Sequence, residues 1–574
     1  MNKTLLFILL MVPTLLMAQV TVRDTTIIWH TFKYRLNEDH TMNWNTNVSF
    51  DTVAKIFTGV VLENEYLKIT LVPEFGGRII SMIYKPTGHE ELYQNPAGAP
   101  YGVGQEWFYY KWLMVYGGIF PTLPEPEHGK AWLLPWKYTV LKQTPDTVRC
   151  QMSWEDTIKL QGINTNKWRY GETNLRCDFT VTLIKGASSL EADVALYNDS
   201  NKNLDYEYWT CLTLAPGSEP GDPKCTQGAE LIIPALKIKI PSGYPDIARQ
   251  EKQVQGEKGI YTFDKLRYWK NWNNDGIAYP WEDTNENFWG VINHDNEEGI
   301  IRVADNNITT GIKIWAWGYT QSQNINPFNS PSEVHRPYVE LWAGHSNEFF
   351  APAQIAMNST KKWKEIYVPT IGLSNVTNAN DEIIADFKVD SGKTVNLSFV
   401  TTRPNNHFDV SIGITGQNSQ VLKTQTIIPD PVNGNRIMTD LPANQTWSKG
   451  DSLVCMITDS ANGCYLTTSI PLDKLTTEVT DRSAIAKDFQ LYQNYPNPFN
   501  PATEIRFSVP EDGFASLKVY NVLGQVVATL FEGTAKSGHY VSVTFNASEM
   551  ASGVYFSRLE YNGRSIVQRM LLAK

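Results

Sequence analysis

At 574 residues with 42% apolar, 12% aromatic and 19% charged side chains, the chain has ample material for buried cores, and at about 100 to 200 residues per domain it is too long for one small core. Eighteen Trp and 27 Tyr exclude disorder as a description of the bulk. A formal net charge of -10 offers no attraction to a phosphate backbone, so nucleic acid is excluded as a partner.

The chain starts Met1-Asn2-Lys3, continues with an apolar run from Leu5 to Met17 and exits through Ala18. A basic start, a short apolar middle and a small-residue exit predict a secretory signal over residues 1–18. The run is shorter than the roughly 18 to 20 apolar residues that span a bilayer, and no second such run follows, so no stable transmembrane segment is expected. Six cysteines (Cys150, Cys177, Cys211, Cys225, Cys455 and Cys464) occur without any CxxC pair. They fit an oxidising compartment but imply neither a disulfide connectivity nor a zinc site.

From LENEYLKITLVP (62–73) onward the dominant pattern is strict alternation, with Leu67, Ile69 and Leu71 on one face and Lys68 and Thr70 on the other. It returns in RCDFTVTL (176–183), LEADVALYN (190–198), ELIIPALKIKIP (230–241) and GIKIWAWGY (311–319), with no long helical periodicity. The expected class is all-β, with large packed sheets filling residues 19–373. Around Ile371 Trp becomes rare, and short strands such as ADFKV (385–389) and TVNLSFV (394–400) alternate with Asn-Gly turns at Asn433 and Asn462. This predicts a small Ig-like β-sandwich over 374–475, acting as a spacer. The polar, unpatterned stretch 476–488 reads as a linker.

The last unit, 489–574, opens with NYPNPFNPATEIRFSVP (494–510), where closely spaced prolines make a fixed turn before the alternating Ile505, Phe507 and Val509. LKVYNVLGQVVATL (517–530), GVYFSRLEYNG (553–563) and RSIVQRMLLAK (564–574) complete a compact all-β module with a hairpin turn at Asn562-Gly563. These motifs, with the basic terminus Gln568 to Lys574, resemble the type A C-terminal sorting domain of the type IX secretion system. The resemblance implies the type IX machinery as a partner and a route through the periplasm to secretion or attachment at the outer-membrane surface.

The large domain carries its own resemblance. LENEYLKITLVPEFGGRIISMIYKPTGHEELY (62–93), YGGIFPTLPEPEHGKAW (116–132), FWGVINHDNEEG (288–299), KIWAWG (313–318), YVELWAG (338–344) and KKWKEIYVPTIGL (361–373) are similar to an uncharacterised branch of the galactose-mutarotase-like proteins. What this implies is a large antiparallel β-supersandwich, followed here by two small β-sandwich domains, with a poly- or oligosaccharide as the ligand class. A shared fold does not set the reaction. Composition points the same way more weakly, because sugar rings stack their C–H faces on indoles and need carboxylates, amides and cations around their hydroxyls.

Within that frame Glu340 is the first candidate for a working carboxylate. It lies between Val339 and Leu341 and must point to the opposite face from both. In true mutarotases a Glu on such a late strand takes the anomeric proton, and YVELWAG resembles that segment; a buried ion-pair partner is the structural alternative. His128, in the Pro- and Gly-rich loop PEPEHG, has an ordinary pKa suited to proton transfer, and Glu125 and Glu127 share its loop. Arg78 follows two glycines in EFGGRII and has either a sugar clamp or a salt bridge with Glu74 as its role. Trp132, Trp317, Trp342 and His294 are candidate substrate contacts, although most of the Trp residues are expected to fill the core. The chain departs from the mutarotase pattern where those enzymes carry an acid His: LDYEYWTCLTLAPG (204–217) has none, leaving Tyr208 or Trp209. Simple anomer interconversion is therefore not expected. Three readings stay open: a lyase using Arg78, His128 and Tyr208, a glycosidase or aldose epimerase built on Glu340, and a glycan-binding protein without turnover. No cofactor or metal is expected, since no metal-ligand spacing occurs and NHDNEEG (293–299) suits a hairpin turn better than a calcium loop.

Overall fold

β-Branched and aromatic residues in alternation favour strands that bury one face, and two broad sheets stacked face to face satisfy that demand over the first two thirds of the chain. The computed structural model describes residues 19–32, 35–36, 42–43, 52–95, 97–101, 112–114, 117–126, 128–158, 169–281, 286–316, 338–390, 393–404, 406–443, 445–459, 461, 463–473, 489–491, 494, 497, 499–535 and 541–573. The expected signal at 1–18, the expected linker at 476–488, Glu127 and Trp317 lie outside the described residues.

One sheet has 14 strands. Through its middle run, in spatial order, Gly311–Ala316, Val339–Gly344, Trp209–Ser218, Gly118–Thr122, Arg78–Tyr84, Leu67–Val72, Thr52–Glu63 and Thr21–Phe32. The second sheet has eight strands, and at its centre Leu190–Asn198, Ser359–Ile371 and Glu298–Ala304 lie side by side. The core between the sheets is built from Leu67, Ile69, Leu71, Ile79, Leu212, Ile314 and Leu341 of the first and Val181, Val194, Val291, Ile300 and Tyr367 of the second. The fold is all-β, as expected.

Two details depart from the alternation. In Leu67–Val72 the expected polar face is covered as well, with Thr70 and Val72 both buried, because the first sheet carries a second aromatic layer on its far side. The run 230–241 does not act as one element: Ala229–Ile232 pairs into the second sheet and Lys237–Lys239 into the first. Pro234 lies between them and lacks the N–H a continuous ladder needs.

Beyond residue 373, two four-stranded sheets enclose a core of Ile383, Phe387, Leu397, Phe399, Ile412, Leu453 and Ile457. This small sandwich is seated on the second sheet and does not merely follow it. Leu373, Val376, Ile384 and Val400 share one apolar cluster with Ile292, Ile301, Ile366 and Val368, Tyr84 Oη donates to the Pro431 carbonyl at 2.6 Å, and Ser188 Oγ donates to that of Thr401 at 2.9 Å. Gly434 has φ 69° and comes so close to Ile371 that a Cβ there would strike its carbonyl. The last module packs a three-stranded and a four-stranded sheet. Its closing hairpin pairs Tyr561 with Arg564 across Asn562 and Gly563, both at positive φ, the geometry that an Asn-Gly turn favours.

Candidate functional site

Strand alternation decides which side chains meet. Along Trp209–Ser218, Leu212 and Leu214 enter the inter-sheet core, so Trp209 and Cys211 face the far side of the first sheet. The register sets Cys211 beside Trp342 and Thr213 beside Glu340, and Lys313 beside Trp342 on the next strand. Phe120 lies opposite Cys211 on the other flank. Gly344, opposite Trp209, leaves room for the indole to lie against the backbone, since a Cβ there would collide with it. Trp342 and Trp209 each make an edge contact with Phe349, at 5.5 and 5.0 Å between ring centroids.

The loop Pro124–Gly129 brings His128 over this face. Its imidazole lies 5.0 Å from the Trp132 ring and 5.6 Å, edge on, from that of Trp342. The Trp342 Nε1 donates to Glu340 Oε2 at 2.7 Å. His128 and Glu340, separated by more than 200 residues in sequence, thus converge on one indole. Lys313 places its ammonium 4.0 Å from the ring centroids of both Trp342 and Phe349. Burial first, then the Lys313 and Arg78 cations, push the His128 pKa down to about 3, so its imidazole is neutral at physiological pH.

Arg78 is at the same face, fully buried. It donates Nε to the Phe75 carbonyl at 2.8 Å, Nη1 to that of Gly117 at 3.2 Å and Nη2 to that of Trp132 at 3.0 Å, and its guanidinium stacks 4.1 Å from the Phe120 ring centroid. These bonds tie the 75–78 turn to the segment carrying Trp132, a positioning role beside the two the sequence left open, sugar clamp and salt bridge. Glu74 accepts the Thr58 N–H.

Tyr208 requires a correction. As the neighbour of Trp209 it points the other way, into the inter-sheet core, where its hydroxyl meets Thr210 Oγ1 at 3.0 Å and its ring meets Trp363. It therefore does not share a face with His128 and Glu340. His294 is a second correction: it belongs to the end of the second sheet, bonded through Nε2 to Glu230 Oε2 at 2.6 Å. Trp132 and Trp342 do join the cluster, both nearly fully buried.

Glu125, in the same loop as His128, is buried and accepts the Arg169 and Tyr170 N–H groups at 2.9 and 2.8 Å. The fully buried pair of Lys130 and Asp156, 2.9 Å apart, fastens the same 169–175 segment through Gly171 and Thr173. Tyr170 Oη donates to Glu207 Oε1 at 3.3 Å. Burial lifts the carboxyls of Glu125 and Glu207 to about 7. Glu207 was not singled out from sequence; its signal was a carboxylate two residues before Trp209, hence on the Trp209 face.

Residues 40–369, more than half of the chain, match the family described as Domain of unknown function (DUF5107), and residues 493–573 match the Secretion system C-terminal sorting domain. The sorting domain marks the protein as a type IX secretion cargo, extracellular or held at the cell surface. Among the described residues no helix is long and apolar enough to cross a membrane. Among solved structures, a TPR-domain containing protein from Parabacteroides distasonis is similar at 16% identity and TM-score 0.47, over 61% of this chain and 55% of that one. The chain thus spans about half of that protein's length. A putative aldose 1-epimerase from Klebsiella pneumoniae is similar at 13% identity and TM-score 0.38, over 60% of this chain and 91% of that one. A galactose mutarotase-like protein from Lactobacillus casei is similar at 11% identity and TM-score 0.34, over 54% of this chain and 100% of that one.

Proposed function

This chain belongs to the family described as Domain of unknown function (DUF5107), and we propose that it is a secreted carbohydrate-binding protein acting on poly- or oligosaccharide through the face that carries His128 and Glu340. The observation that carries the reading is the meeting of an acid–base pair on an indole: His128 and Glu340 both contact Trp342. A carboxylate oriented by an indole N–H is poised to accept a hydroxyl proton.

The geometry also sorts the chemistries. A lyase built on Arg78, His128 and Tyr208 has less support, since Tyr208 lies across the sheet from His128. A two-carboxylate glycosidase needs its pair about 5 to 9.5 Å apart. Glu207 bonds Trp209, which stands opposite Gly344, whereas Glu340 stands opposite Thr213, four residues along and about 13 Å by backbone rise, so these contacts do not set the two carboxyls across one bond. What remains is Glu340 as base with a neutral His128 as hydrogen-bond donor, a poor match for rapid anomer interconversion because so little imidazolium is present at neutral pH. The neutrality of His128 at physiological pH favours the second reading, glycan binding without turnover.

The division into 19–373, 374–475 and 489–574 belongs to the same proposal, supported by the separate cores of the three regions. A polysaccharide panel read by calorimetry, unsaturated-uronate absorbance and reducing ends tests the function. Binding by the full chain, with any turnover abolished by Glu340→Gln, is expected; failure to bind any member overturns the reading.

A further inference from the structure

One buried acid takes no part in that face. Glu91, on the strand His89–Leu92, is 1% exposed, and its Oε2 is buried without a hydrogen-bond partner. The strand belongs to the first sheet, where it pairs with Trp209–Ser218 and Arg78–Tyr84. Glu298, the first residue of a strand of the second sheet, bonds His89, two residues before Glu91 on that strand. Tyr84, paired with His89 across the ladder, is the residue whose hydroxyl holds the Pro431 carbonyl of the small sandwich. Glu91 thus sits at a seam of three parts: two sheets and the appended module.

The neighbouring groups fix what charge the seam tolerates. Glu298 already has partners, accepting His89 Nδ1 at 2.6 Å and Thr87 Oγ1 at 2.9 Å, and the His89 contact raises the His89 pKa. Glu219 lies 3.9 Å from the other His89 nitrogen. Glu90 accepts the Ser81 hydroxyl and the Met82 and Leu92 N–H groups. Asp430 and Tyr66 face Tyr84 from the small sandwich and from the first sheet. Against these, Glu91 receives one backbone N–H, from Gly217. A second full negative charge here would stand beside Glu298 and Glu90 in a medium that screens poorly.

We propose that Glu91 is a protonation-controlled latch: as a neutral acid it closes the seam between the two sheets, and on ionising it loosens that seam together with the seat of the small sandwich. The proposal stands independently of the carbohydrate reading. Burial, Glu298 and Glu90 all raise the Glu91 pKa, so the sign is definite. Below the ordinary carboxyl value both folded and unfolded chains hold the proton and stability is complete; above it only the folded chain does, and the unfolding constant grows up to tenfold per pH unit until Glu91 itself ionises.

Unfolding of the full chain by urea, measured from pH 4 to pH 9 for the native protein and for Glu91→Gln, tests this. The two are expected to coincide at pH 4, and the native curve to climb more steeply by one proton, so that the variant is the more stable above neutrality. Hydrogen exchange in the native protein at pH 6 and pH 9, corrected for intrinsic rates, needs no variant. It is expected to rise selectively in residues 84–92 and 430–434. Parallel stability curves, or added exchange that avoids those segments, overturn the latch.

Discussion

The two faces of the strand Trp209–Ser218 place charge in the molecule in opposite ways. On the inter-sheet face, Glu365 is fully buried and fully bonded: Oε1 accepts Thr210 and Trp363, and Oε2 accepts Arg302 at 2.8 Å and Tyr367 at 2.7 Å. Despite its burial, the Arg302 cation and these donors hold its pKa below the usual carboxylate value. On the far face, Glu207 has longer contacts, 3.3 Å from Tyr170 and 3.4 Å from Trp209, and burial wins, raising it to about 7. The same side-chain type is locked as an anion on one side of a sheet and kept near neutrality on the other. Saturated hydrogen bonding marks a strut; a buried carboxyl with spare capacity marks a place where protons can move.

Removing half of the strut gives the largest expected effect. Arg302→Leu leaves Glu365 buried with its cation gone, and a loss of about 3 to 5 kcal/mol is expected in urea unfolding; a loss below about 1 kcal/mol would mean that the two faces do not differ as described. Next comes the pH dependence of the other face. Glu207 has a raised pKa, so its contribution to stability is complete below about pH 4.5 and is lost as pH rises to about 7. Glu207→Gln should therefore match the native protein at pH 4 and exceed it by about 2 to 3 kcal/mol at pH 8. Equal stability at both values would remove the contrast.

Glu340→Gln sharpens the comparison at the proposed site. The amide keeps an acceptor for Trp342 Nε1, so stability should change by only about 1 kcal/mol while proton acceptance is abolished. Calorimetry together with product assays separates the two, and unchanged turnover in the variant would exclude Glu340 as the base. The smallest effect is expected from deleting 489–574, a module with its own core. Sugar affinity of the purified truncation should stay within about twofold; a larger loss would show that the sorting module contributes to binding.

Much of this was legible in the amino-acid sequence. Alternation through Leu67, Ile69 and Leu71 determined the strand and its core face, the Asn562-Gly563 pair determined the last hairpin, and the motifs from Tyr495 to Lys574 determined the export route. Local rules suffice there because strand period, turn geometry and a sorting motif are properties of neighbouring residues. Tertiary structure alone decided that His128 meets Glu340 across Trp342, that Arg78 bonds to three carbonyls, and that Tyr208 and Trp209, adjacent in sequence, belong to opposite sides of one sheet. Period-2 geometry tells which residues share a face but not which face is roofed by a loop from elsewhere, and that pairing of distant segments is set by register and packing across the whole sheet.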